Sequence, residues 1–108
     1  MFKTCLLAAS LALAVTATAQ AARPGPFDAK AREILARAVS IPTQLGKAKV
    51  PELAEYLAGE LRAAGFPAED VTVTRFKLPD NDTATLTVRY RGDGSGGKPI
   101  VLLAHMDV

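Results

Sequence analysis

Six consecutive apolar residues, Pro99-Ile100-Val101-Leu102-Leu103-Ala104, constrain this chain more than any other stretch. A strand with one wet face alternates polar and apolar side chains. A run without alternation suits a strand covered on both faces, as in the central sheet of an α/β protein. The run is too short to demand a helix and follows the glycine-rich segment Gly92–Lys98, so it predicts a buried strand. His105, Met106, Asp107 and Val108 come immediately after it. Ligands of open α/β sheets bind beyond the carboxyl ends of the strands. Extended geometry puts His105 and Asp107 on one side and turns Met106 and Val108 to the other. A histidine that holds a metal through one ring nitrogen commonly donates its other N–H to a carboxylate, which fixes the tautomer and raises basicity. His105 and Asp107 can form such a pair locally. A lone His-x-Asp also occurs where the imidazole is only a surface or structural group, and the tripeptide alone leaves both readings open.

The pattern upstream predicts helix, helix, strand, strand ahead of that run. Asp28 can cap a helix to about Val39, with Ile34, Leu35, Ala38 and Val39 on one stripe. Ser40-Ile41-Pro42-Thr43 breaks it. A second helix starts at Pro51, a residue suited to a first helical position, with Glu52 at the positive helix end. Leu53, Leu57, Leu61 and Ala64 recur at helical spacing, Gly65 supplies a left-handed stop, and Pro67 forbids resumption. The period then changes to two. Val71–Phe76 is rich in β-branched residues, with the alternation slipping near Arg75. Thr83–Tyr90 places Ala84, Leu86, Val88 and Tyr90 on one face and Thr85, Thr87 and Arg89 on the other. Pro79-Asp80-Asn81-Asp82 reads as the turn of a β-hairpin. The glycines of Gly92–Lys98 match neither a phosphate-binding loop nor a dinucleotide turn, and read as a linker.

The N-terminus reads as an address. Lys3 gives a positive start, Cys5–Val15 is almost wholly apolar, and Ala17-Thr18-Ala19 and Ala19-Gln20-Ala21 fit the small-x-small cleavage pattern. Residues 1–21 are therefore expected to be a cleaved secretory signal, which puts the mature chain in the periplasm or outside the cell and off the membrane. Thr16, Thr18 and Gln20 interrupt the apolar stretch before the roughly 20 residues of a span. Residues 22–27, with Pro24-Gly25-Pro26, form a linker, and residues 28–108 are the fold proper. The formal charge of +2 falls to +1 without Lys3, and no cluster of basic residues marks a nucleic-acid or anionic-membrane surface. The single cysteine, Cys5, excludes an internal disulfide and a cysteine-based zinc site. Ser10, Ser40 and Ser95 lack a nucleophile-elbow context, which argues against a serine hydrolase. Glu52, Glu55, Glu60 and Glu69 read as solvated positions, and Asp80, Asp82 and Asp93 as turn residues.

The passage Pro99–Val108 resembles the first signature of the zinc exopeptidase family that contains acetylornithine deacetylase, succinyl-diaminopimelate desuccinylase, aminoacylase and glutamate carboxypeptidase (peptidase family M twenty). That signature is a hydrophobic strand, a small residue, His-x-Asp and an aliphatic residue, filled here by Ala104, His105, Met106, Asp107 and Val108. Ser40–Thr43 is similar to the family's short segment after its first helix. Leu53–Leu57 through Leu61–Phe66 is similar to its second helix, so the resemblance covers about Asp28 to Val108. It implies the N-terminal part of a mixed-sheet α/β sandwich, with His105 as a zinc ligand and Asp107 as the carboxylate that orients it. It also implies two zinc ions in the complete enzyme and hydrolysis of peptides or N-acyl amino acids. The bridging aspartate, the paired glutamates and the other ligands of that family have no counterpart up to Val108. One histidine and one outer carboxylate cannot hold a catalytic zinc, which takes three protein ligands, so the chain by itself is expected to be inactive. The rival expectation is a small exported α/β binding or interaction module with a structural His105.

Overall fold

The computed structural model describes residues 24–108. The expected signal, residues 1–21, and the start of the linker lie outside the described residues. Two helices and a two-stranded antiparallel sheet make up a small α/β unit. The first helix, α1 (Asp28–Ser40), begins at the predicted place, but Asp28 is its first residue and not its cap. The Asp28 carboxylate reaches back instead and accepts the Gly25 N–H at 2.9 Å. Ser40 closes the helix, its hydroxyl donating to the Arg37 carbonyl at 2.7 Å. Of the predicted apolar stripe, Ile34 and Ala38 are half-buried, while Leu35 and Val39 stay exposed at 62% and 73%. The contact with the second helix is thus narrower than the stripe. Lys30 spans it, with Nζ 3.0 Å from Glu33 and 2.9 Å from Glu60, and those carboxylates raise the lysine's pKa above its ordinary value.

The second helix, α2 (Val50–Ala63), holds the core together. Pro51 lies in its first turn, where a missing N–H costs nothing. Leu53, Ala54 and Ala58 are buried, the two alanines completely, and α2 packs on both strands through this face. The helix ends as the sequence predicts: Gly65 has φ +99°, its N–H donates to the Arg62 carbonyl, and the Phe66 N–H donates to the Leu61 carbonyl. This pair of bonds is a Schellman cap, and only glycine adopts its left-handed residue without strain. Gly65→Ala is expected to lower the unfolding free energy by about 1–2 kcal/mol, measured by urea titration, without loss of secondary structure.

Strand β1 (Val71–Phe76) has the predicted limits and follows a single 3-10 turn, Ala68–Asp70. Strand β2 (Thr83–Val88) pairs with it antiparallel, Val71 opposite Val88 and Phe76 opposite Thr83. Val71, Val73, Ala84 and Leu86 face α2, and Ile41, Val50 and Leu53 complete the core with them. Arg75 also falls on this side, where its guanidinium meets Glu55 at 3.0 Å, which explains the slip in alternation. The opposite side carries Thr72, Thr74, Thr85 and Thr87 in facing pairs. Tyr90 lies beyond the strand, contrary to the predicted limit. It is 86% exposed, and its ring rests on Phe66 with centroids 5.9 Å apart. Asn81 ties the hairpin turn back to α2's entrance by accepting the Ala48 N–H at 2.9 Å.

The predicted buried strand is not formed. Residues 99–108 are irregular, and Leu102 and Leu103 are 91% and 92% exposed. A strand exists only when a neighbour completes its ladder, and among the described residues nothing pairs with this run. Arg91, clamped at the end of the hairpin, and the glycines at 92, 94, 96 and 97 lead the chain away from the sheet. The mixed-sheet sandwich is therefore not assembled by residues 24–108. No described helix is long and apolar enough to cross a membrane.

Candidate functional site

His105 and Asp107 come together, although on an irregular segment and not at the mouth of a sheet. The ring Nδ1 lies 2.8 Å from the Asp107 backbone oxygen and 3.6 Å from its carboxylate Oδ1. A carbonyl oxygen can only accept, so the ring nitrogen touching it carries the proton. In the neutral ring that contact leaves the lone pair on Nε2, which has no hydrogen-bond partner among the described residues. It is the tautomer that coordinates a metal through Nε2, with the ring's N–H committed to an acceptor. The main-chain oxygen, more than the carboxylate, makes the close contact; the carboxylate adds charge from slightly farther off. Both side chains are open to solvent, His105 at 84% and Asp107 at 71%. The i, i+2 spacing thus delivers the pair, whereas the expected enclosure by a sheet is missing.

Among the described residues, no group of three or more His, Cys, Asp or Glu side chains is placed to hold a metal ion. The pair fits one ligand of a zinc site and its orienting partner, not a whole site. Several of the other acids are engaged elsewhere. Glu52 accepts from Lys49 Nζ at 2.8 Å, and that hydrogen bond pulls its pKa below the ordinary range. Glu55 is taken by Arg75, and Glu60, read from sequence as solvated, is half-buried beneath Lys30. Asp93 is a turn residue as predicted: its carboxylate accepts the Ser95 hydroxyl and N–H, which lower its pKa. A shallow cleft of about 390 Å3 lies by Lys49, Glu52, Glu55, Arg75 and Asp82, where two of the three acids are already paired.

Sequence reasoning missed Asp70, the one buried carboxylate among the described residues. Its side chain is 2% exposed and receives both Nε and Nη2 of Arg91, at 2.7 and 2.9 Å. This bidentate geometry satisfies both carboxylate oxygens, and the guanidinium lowers the Asp70 pKa against the opposing effect of burial. The signal lay in the hairpin register. Asp70 stands one residue before β1, and the Arg89 N–H donates to its carbonyl at 2.8 Å, so an arginine two positions farther on falls diagonally across from it. With Phe66 and Tyr90 the pair lines a second cleft, of about 330 Å3. Because the folded carboxyl titrates below its unfolded counterpart, its contribution is present above the ordinary aspartate range and is lost as pH falls through the lowered pKa. Asp70→Asn is expected to lower the thermal midpoint at neutral pH and to flatten its decline on acidification. An unchanged acid limb would show that the clamp carries no pH-dependent stability.

No protein-family description, curated protein or solved structure matches this chain.

Proposed function

We propose that this chain is the opening portion of an exported zinc-dependent exopeptidase or amidohydrolase that cleaves peptide or N-acyl amino acid amide bonds. His105 is a metal ligand in this reading, and Asp107 is its positioning residue. The observation that carries it is the contact of His105 Nδ1 with Asp107, which leaves Nε2 free to coordinate. The motif resemblance over Pro99–Val108 supports it, as does the exposed apolar run, which has the character of an inner strand awaiting neighbours. Zinc, when bound, polarises the amide carbonyl and supplies an activated water. The protein's part up to Val108 is to hold one imidazole in the coordinating tautomer. Residues 24–108 hold no further ligand set, and the chain alone is expected to hydrolyse nothing.

The test is the coding sequence downstream of Val108. The reading requires an aspartate that can bridge two metals, a Glu-Glu pair and further ligands, and amide hydrolysis that stops on chelation. A frame without those residues, or hydrolysis indifferent to chelators, would overturn it. A second reading is a small exported binding or interaction module with a structural His105; the ring's 84% exposure fits an imidazole outside any metal cleft. Cooperative unfolding of the monomeric chain, unaffected by zinc, is its distinguishing result.

A further inference from the structure

The two open edges of the sheet differ. The Arg89 N–H bond to the Asp70 carbonyl sets the phase of the ladder, so Val71, Val73 and Arg75 direct their backbone groups away from β2, and Ala84, Leu86 and Val88 direct theirs away from β1. The β1 edge is guarded. Arg62 Nη2 donates to the outward Val71 carbonyl at 3.1 Å, and Arg75 places a charge farther along. Charged side chains and caps of this kind are how proteins blunt a strand edge. The β2 edge has neither. Its outward residues are neutral, and no described side chain caps their backbone groups.

The same chain carries a run of strand-forming composition that has no sheet to join. Ile100 and Val101 are 87% and 76% exposed, continuous with the still more exposed leucines that follow, and the run from Pro99 to Ala104 contains no charge. An uncharged edge lacking a strand and an uncharged strand lacking an edge are complementary, and a two-fold arrangement satisfies both at once. We infer that the β2 edge binds residues 100–103 of a second copy of this chain as a third strand, and that the exchange is reciprocal. The pairing goes beyond the proposed hydrolase and needs only the strand character of the run. It requires neither His105 nor metal.

Amide hydrogen exchange of the full chain, metal-free and over a wide range of protein concentration, tests this. Ala84, Leu86, Val88 and residues 100–103 should exchange about tenfold or more slower at the high end, while β1's outward amides change little. Leu102→Lys should abolish the concentration dependence by charging the incoming strand. Val88→Pro should do the same by removing an outward N–H that the β1–β2 ladder does not use, and it leaves the run intact. Protection that is present but independent of concentration would place the run on its own chain's edge and overturn the proposal. So would no protection at any concentration, or concentration dependence that survives both substitutions. Zinc coordination by His105 is read separately and can fail or succeed without altering these outcomes.

Discussion

Leu53→Ala should cost about 2–5 kcal/mol of unfolding free energy, measured by denaturant titration, which is enough to leave this small unit largely unfolded. Leu53 is 6% exposed and belongs to the buried face of α2, the helix that packs on both strands. Its loss removes apolar contacts and leaves a cavity that Ala54 and Ala58, already completely buried, are too short to fill. The larger half of the cost comes from that cavity if the sheet cannot collapse onto the helix. By contrast, Leu35→Ala on the exposed side of α1 is expected to change stability by less than about 0.5 kcal/mol. Equal effects at the two positions would contradict the placement of the core.

The second large effect concerns the imidazole. His105 is the only histidine in the chain, so His105→Ala should remove the weak zinc uptake that one imidazole ligand supports, read by zinc titration against the wild type. Asp107→Asn should weaken that uptake by about tenfold, the low end for loss of an orienting carboxylate. The low end applies because the main-chain oxygen of residue 107, at 2.8 Å, keeps its grip on Nδ1 when the carboxylate, at 3.6 Å, is neutralised. Equal weak binding by wild type and His105→Ala would show that the imidazole contributes nothing.

Local signals were legible at some positions where one residue decides the backbone, though Asp28 was misread as a cap. Gly65 ended α2 by its left-handed conformation, and β-branched residues marked β1 to its exact limits. The inner face of β2 also followed from alternation as far as Val88. Tyr90 was misplaced because the ring found a better neighbour in Phe66, a contact between residues far apart in sequence. Asp70 was overlooked because its partner, Arg91, lies across the hairpin, and only the strand register joins them. The apolar run failed differently. Its composition reports what it prefers to be buried against, but a strand needs a partner, and residues 24–108 offer it none. At the candidate site the spacing pointed to the carboxylate of Asp107, whereas the ring lies closer to the main-chain oxygen of that residue, and the enclosure that converts a contact into a metal centre depends on tertiary structure.

Nitrogen-15 and ring-proton spectra of His105 during a zinc titration test the central claim most directly, since a single histidine makes the assignment unambiguous. The account predicts that Nε2 shifts on coordination while Nδ1 remains protonated toward Asp107. Zinc arriving at Nδ1, or a ring that does not respond to zinc at all, would contradict it.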